Sequence, residues 1–204
     1  MMHPDAYLTI NAVSSGDWRD RGSKFIAVLC PCSNDSQLQA LIDAQRKKHP
    51  NARHVVFGAI LGSISPEERC SHDGEPSGTA GLPVLNQLRS AELRNAALLV
   101  VRYFGGTKLG KAGLINAYKE SARLAIEEAA ITRQFNVQRL SVVFSYDRTG
   151  EVTRQLDQLA NATIIDHVFE HVPSIRFSVP LSEVGKALHL FDYTDEITVT
   201  VLDV

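Results

Sequence analysis

Hydrophobic and polar positions divide this chain into two stretches of different rhythm. From residue 135 onward the pattern is regular. Residues 135–146 alternate around Val137, Leu140, Val142 and Phe144, which predicts a strand. Asp147 or Thr149 is placed to cap a helix in which Val152, Leu156, Leu159 and Ala160 recur at helical spacing. Residues 163–169 and 174–179 read as strands, the second entered after Pro173 and closed by Pro180. Ser182 is placed to cap a helix with an apolar face of Val184, Ala187, Leu188 and Phe191, and 196–202 alternates as a last strand. The predicted order βαββαβ is that of a ferredoxin-like split βαβ unit.

The preceding stretch predicts strands over 7–13 and 24–30, then a helix capped by Asn34 or Asp35 and carrying Leu38, Leu41 and Ile42. Pro50 ends that helix near His49, because the residue before proline is pushed out of helical geometry. A strand over 54–61, a glycine-containing loop over 71–81 and a short helix over 82–88 follow. Residues 95–104 form a continuous apolar run, as expected of a strand covered on both faces. A second glycine loop, 105–113, opens a long helix reaching about residue 130. Ala117, Ser121, Ala122, Ala125 and Ala129 give that helix a small-residue face able to lie close on a sheet. The expectation is an α+β protein of two domains, 1–133 and 134–204.

Composition sharpens this division. The 204 residues carry a net charge of -2, but up to Arg133 there are 16 basic and 13 acidic residues (net +3). The remainder has 5 basic and 10 acidic (net -5), and the two restore the -2 of the whole. The near-neutral total argues against a protein that coats nucleic acid by charge alone, and any such contact must be local to the first domain. No apolar run approaches the roughly 18 residues needed to span a bilayer. The N-terminus lacks the basic and apolar blocks of a signal peptide. Three cysteines make no disulfide framework, and Cys30-Pro31-Cys32 lacks the second pair of a zinc site. A cytoplasmic protein without metal, cofactor, membrane partner or DNA-specific motif is expected.

Candidate chemistry gathers at the two glycine loops. The first runs Ser71-His72-Asp73-Gly74-Glu75-Pro76-Ser77-Gly78-Thr79-Ala80-Gly81. Its glycines allow backbone N–H groups to converge on an anion. Asp73 and Glu75 are candidate acid–base or metal-binding groups, while Asp73 and Thr79 are equally suited to bonding the loop's own backbone. The second runs Arg102-Tyr103-Phe104-Gly105-Gly106-Thr107-Lys108-Leu109-Gly110-Lys111-Ala112-Gly113. A loop between a buried strand and a helix N-terminus suits phosphate. Gly105 through Lys111 fits the start of a P-loop, but Ala112 replaces the Ser or Thr that would hold magnesium. Arg102, Lys108 and Lys111 are cationic, and Gly105, Gly106 and Gly110 permit close approach. Arg53-His54 enters a strand and is placed to face a ligand. Trp18, beside Arg19 and Arg21, can pack in a loop or stack on a base.

Three blocks carry a family resemblance: Ala52-Arg53-His54, then 73–81, then Val101-Arg102-Tyr103-Phe104-Gly105-Gly106 with Leu109-Gly110 and Gly113-Leu114. In order and spacing they resemble the IMPACT family, in its bacterial YigZ-like branch, over about 24–130. The acidic tail resembles the second domain of bacterial members, which is similar to the last domain of elongation factor G. The resemblance implies a first domain with the fold shared by a ribosomal small-subunit protein and the fourth domain of elongation factor G. It also implies a translation-associated role, since eukaryotic relatives regulate translation in the response to amino-acid starvation, and it brings no established catalytic residues. Leu82 stands where relatives often carry Lys, and Lys108 and Lys111 where they often carry apolar or small residues.

The leading expectation is a non-enzymatic regulatory protein that binds RNA or the ribosome. Its anion- and RNA-binding candidates are Arg53, His54, Asp73, Glu75, Thr79, Arg102, Tyr103, Gly105, Gly106, Lys108, Gly110 and Lys111. Two alternatives stand beside it: an enzyme acting on a phosphorylated small molecule at the glycine loops, and an adaptor whose acidic tail docks a regulatory protein partner.

Overall fold

The computed structural model describes residues 3–169, 171–191 and 196–202. They form two compact units, one of Tyr7–Gln134 and one that joins the residues up to Ala6 with those from Phe135 onward. The architecture is α+β in both. No described helix is long and apolar enough to cross a membrane.

The larger unit is built on a five-stranded antiparallel sheet. Its strands are β2 (Ser14–Asp20), β3 (Ser23–Pro31), β6 (Ala96–Tyr103), β4 (His54–Leu61) and β5 (Glu67–Ser71), in that spatial order. The apolar run becomes the central strand β6, buried along almost its whole length. Its alternate side chains serve two cores. Ala96, Leu98 and Val100 pack with helices α2 (Gly81–Ser90) and α3 (Gly110–Glu127). Ala97, Leu99 and Val101 pack on the other face with Leu38 of α1 (Asp35–Lys48). Burying one Val or Leu side chain is worth about 1.5–3 kcal/mol, so β6 anchors the unit. β1 (Ala6–Ile10) pairs with β7 (Ile131–Phe135).

Local signals explain most boundaries. Asn34 caps α1 by accepting the Gln37 N–H at 2.9 Å, and the helix ends at His49 before Pro50. The small face of α3 is buried at Ala117, Ser121, Ala122 and Ala125. Strand β2, which the apolar pattern did not indicate, is polar because it is an edge strand. One face lies under α3, where a Cβ on Gly16 would meet the Ala125 nitrogen at 2.5 Å. Trp18 therefore lies on a strand, opposite Phe25, and packs partly buried against the core instead of sitting in a loop.

The smaller unit carries a four-stranded antiparallel sheet in the order β11 (Ile197–Val201), β8 (Val137–Phe144), β10 (Ser174–Pro180), β9 (Thr163–Val168). With helices α4 (Thr149–Leu156) and α5 (Val184–Leu190) it has the ferredoxin-like βαββαβ arrangement. Leu140, Phe144, Ile175, Phe177 and Val152 are among its fully buried residues. Three local readings are corrected. The strand expected over 135–146 is two, β7 and β8, separated at Asn136. Neither Asp147 nor Thr149 caps α4 with its side chain. Ser182 does not cap α5 and instead gives both its hydroxyl (2.6 Å) and its backbone N–H (2.8 Å) to Asp5.

Candidate functional site

Strand register sets the site. Phe25 on β3 and His54 on β4 both pair with Arg102 on β6, so the three stand in a row across one end of the sheet. Pairing residues in an antiparallel sheet share a face. That face is the one covered by α3, and Tyr118 of α3 meets Phe25 edge-on with ring centroids 5.0 Å apart. The β5–α2 loop then brings Glu75 in from the side.

Glu75 is 9% exposed and Arg102 7%. They form an ion pair through Arg102 Nη1 and Glu75 Oε1 at 2.5 Å. Tyr118 donates its phenol to the same oxygen at 2.8 Å. Burial, reinforced by the Glu75 charge, pushes the Tyr118 phenol far above its usual range, so it remains a donor at any working pH. His54 Nε2 lies 4.0 Å from that oxygen. Its Nδ1 donates to the Asp73 carbonyl at 2.6 Å, which fixes the ring. The Arg102 guanidinium is sandwiched, 5.5 Å from the centre of Phe25 and 5.7 Å from that of Phe104.

The first glycine loop is held by the side chains that made it look reactive. Asp73 takes a left-handed backbone (φ 44°), and Gly74 follows at φ 83°. Asp73 Oδ2 accepts the Val55 N–H at 2.6 Å, and its other oxygen pairs with Arg46 at 2.7 Å. Thr79 is buried and donates to the Pro76 carbonyl at 2.6 Å. The His72 ring accepts the Gly81 N–H at 3.0 Å, capping α2 where Ala80 cannot. Both acidic side chains are thus engaged within the protein, and among the described residues no cluster suited to a metal ion is present.

The second loop is exposed from Phe104 through Lys108. Gly105 lies against the β2–β3 turn, where a Cβ would stand 1.9 Å from the Gly22 carbonyl carbon, and its N–H is given to Ser23 Oγ at 3.1 Å. This close approach leaves no room for any residue but glycine. Phe104 is 54% exposed directly over the Arg102 guanidinium. Lys108, Lys111 and Arg53 are exposed and form no ion pair among the described residues. Tyr103 points to the opposite face, where its hydroxyl meets His49 Nδ1 at 2.9 Å.

The sequence candidates therefore separate. His54, Asp73, Glu75, Thr79 and Arg102 form a buried or half-buried scaffold. Arg53, Gly105, Gly106, Lys108, Gly110 and Lys111 are exposed to solvent. Four contributors did not stand out as site residues in the sequence: Tyr118, His72, Arg46 and Phe104. Only Phe104, an aromatic beside a glycine pair, carried a local signal. The second loop offers at the surface an aromatic ring, Phe104, followed in the chain by the exposed cations Lys108 and Lys111.

Comparison with known proteins places this unit. The Impact N-terminal domain profile matches residues 21–126. The IMPACT family member YvyE of Bacillus subtilis (strain 168) is 31% identical over 156 residues, covering 76% of this chain and 71% of that one. The IMPACT family member YigZ of Escherichia coli (strain K12) is 28% identical over 166 residues, covering 80% and 81%. A crystal structure described as that of a hypothetical protein aligns over 98% of both chains at 26% identity, with a TM-score of 0.68.

Proposed function

Taking as premise that this chain belongs to the IMPACT family, we propose that it is a non-enzymatic, translation-associated regulatory protein. It binds RNA, free or in the ribosome, through the glycine-loop end of the Tyr7–Gln134 unit. The translational role is the one the family resemblance implies. One observation carries the RNA reading: the exposed Phe104 ring lies over the Arg102 guanidinium, at the start of a loop whose Lys108, like Lys111 just beyond it, is exposed and in no ion pair among the described residues.

Single-stranded RNA is bound where bases stack on aromatic rings and cations meet the phosphates. The Glu75–Arg102 pair serves this arrangement by neutralising the buried charge and fixing the guanidinium beneath Phe104. A phosphorylated metabolite would need free carboxylates for acid–base work, and Asp73 and Glu75 are both engaged.

Fluorescence anisotropy with a labelled single-stranded oligoribonucleotide tests the site. Phe104→Ala is expected to weaken binding by about 1–3 kcal/mol, the usual worth of one base–aromatic stack, with thermal stability retained and Phe104→Tyr close to wild type. RNA binding by Phe104→Ala as tight as by the wild type would show that Phe104 is not a stacking platform.

A further inference from the structure

The row of Phe25, Arg102 and His54 faces α3. The other face of the same sheet end carries a second row, and this one is cationic. Arg19 on β2 pairs with Lys24 on β3, and Lys24 pairs with Tyr103 on β6. Residues directly opposite in an antiparallel sheet share a face. Here it is the α1 face, because Tyr103 and Ile26, two residues from Lys24, pack in the core that holds Leu38. Arg53 leads into β4 one residue before the His54–Arg102 pair, so the order across the sheet is Arg19, Lys24, Tyr103, Arg53. Arg19 and Arg53 thus lie about 14 Å apart, three strand spacings. Lys48 joins them from the last turn of α1, which ends at His49, and His49 Nδ1 meets the Tyr103 hydroxyl at 2.9 Å.

The cations of this unit divide by place. Arg69, Arg89 and Arg123, farther along β5, α2 and α3, each meet a carboxylate. Arg19, Lys48 and Arg53 are exposed and form no ion pair among the described residues. Of the row, only Lys24 is answered, by Asp17 at 2.9 Å. Like charges set directly opposite each other disfavour strand pairing, so Arg19 opposite Lys24 is an arrangement that an external anion relieves. Burial, then the Lys48 and Lys24 charges, hold the His49 imidazole below its usual pKa, which brings both lysines within reach of the His49–Tyr103 contact.

We infer, on the reading that Phe104 stacks an RNA base, that this row is a second contact surface for the same RNA, one that holds its sugar–phosphate backbone. A 14 Å line of cations is longer than one phosphate bridges and suits successive phosphates of a strand. The row supplies charge and no base recognition, since its aromatic residue, Tyr103, is half-buried with its hydroxyl engaged. Phe104 follows Tyr103 directly and lies over Arg102, which belongs to the α3-facing row. A strand that passes over the sheet end therefore meets the stacking ring on one side and the cationic row on the other.

The test is binding of a labelled oligouridylate of about 12 nucleotides, within the usual single-strand site size, to the full-length protein across a salt series. Arg19→Ala/Arg53→Ala is expected to make the slope of log Kobs against log salt shallower by about 1.4, two phosphate contacts at about 0.7 each. Arg19→Lys/Arg53→Lys keeps the charge and is expected to keep the slope. Both positions are exposed, and the alanine variant is expected to melt no lower than the wild type. An unchanged slope in the alanine variant would overturn the proposal, and with binding still weakened by Phe104→Ala it would leave the stacking platform standing. The reverse pattern, a slope reduced by Arg19→Ala/Arg53→Ala and affinity untouched by Phe104→Ala, would retain the row and remove the platform. No RNA binding by the wild type would sink both. Inorganic tripolyphosphate is titrated in parallel, with the backbone amides of Arg19, Lys24 and Tyr103 followed by NMR. Saturable shifts there beside an unchanged RNA slope would assign the row to a small polyphosphate and overturn RNA as its ligand.

Discussion

Glu75 puts a carboxylate into the interior with three groups converging on one of its oxygens: Arg102 and Tyr118 by hydrogen bond, His54 at 4.0 Å. Breaking a buried ion pair by removing one partner leaves an uncompensated charge. Glu75→Ala is therefore expected to lower stability by about 3–5 kcal/mol, and Tyr118→Phe by about 1 kcal/mol, both read from urea unfolding. A loss under 1 kcal/mol for Glu75→Ala would show that Arg102 finds other compensation. His49 gives a pH dependence of known sign. Its burial, with Lys48 and Lys24 nearby, lowers its pKa below that of the unfolded chain. Below about pH 6.5 the unfolded state takes up the proton more readily, so its contribution is complete above that value and is lost as pH falls through the folded pKa. Urea midpoints between pH 8 and 5 should fall more steeply for the wild type than for His49→Gln, and parallel curves would remove His49 as the cause. The cysteines divide likewise: burial, with Cys32 beside it, pushes the Cys30 thiol up to about 11, and Cys70 is exposed. Mass spectrometry after brief alkylation at pH 7.5 should find Cys70 modified and Cys30 intact; equal modification would contradict the burial of β3.

At the scale of elements, what could be read from the sequence depended on how much apolar surface each one buries. β6 was legible because both its faces are covered, and α1 because Asn34 and Pro50 punctuate it. The βαββαβ order of the smaller unit was legible from alternation and helical spacing. β2 was not, because an edge strand over a helix needs small and polar residues and leaves no alternation. The glycine loops were legible as special, but their purpose was not. Nothing local in the sequence says that Asp73 bonds the Val55 N–H or that Tyr118, more than 40 residues downstream, completes the Glu75 site. The second loop also depends on a contact far away in sequence. Gly105→Ala would drive a methyl group into the Gly22 carbonyl and is expected to destabilise by about 1–3 kcal/mol. It should also reduce RNA affinity by shifting Phe104. A variant of wild-type stability would mean that the β2–β3 turn moves freely away from the loop.

At the scale of the whole molecule, two separate hydrophobic cores match two charge regimes. The stretch up to Arg133 carries +3 and the remainder -5, and Phe104 and the exposed Lys108 and Lys111 lie in the first. So mild an excess suits a contact through a few residues and not a broad basic coat. RNA affinity should then reside in a handful of phosphate contacts whose strength varies with salt in a countable way. For single strands log Kobs falls against log salt with a slope of about -0.7 per phosphate neutralised. The most direct measurement is RNA binding by the full-length protein between about 50 and 200 mM salt, the range over which such contacts show, for the wild type and Lys108→Ala/Lys111→Ala. A clearly negative slope is expected for the wild type and one shallower by about 1.4 for the double variant, two phosphate contacts at the same factor. Binding that is absent, insensitive to salt, or of unchanged slope in the variant would contradict it.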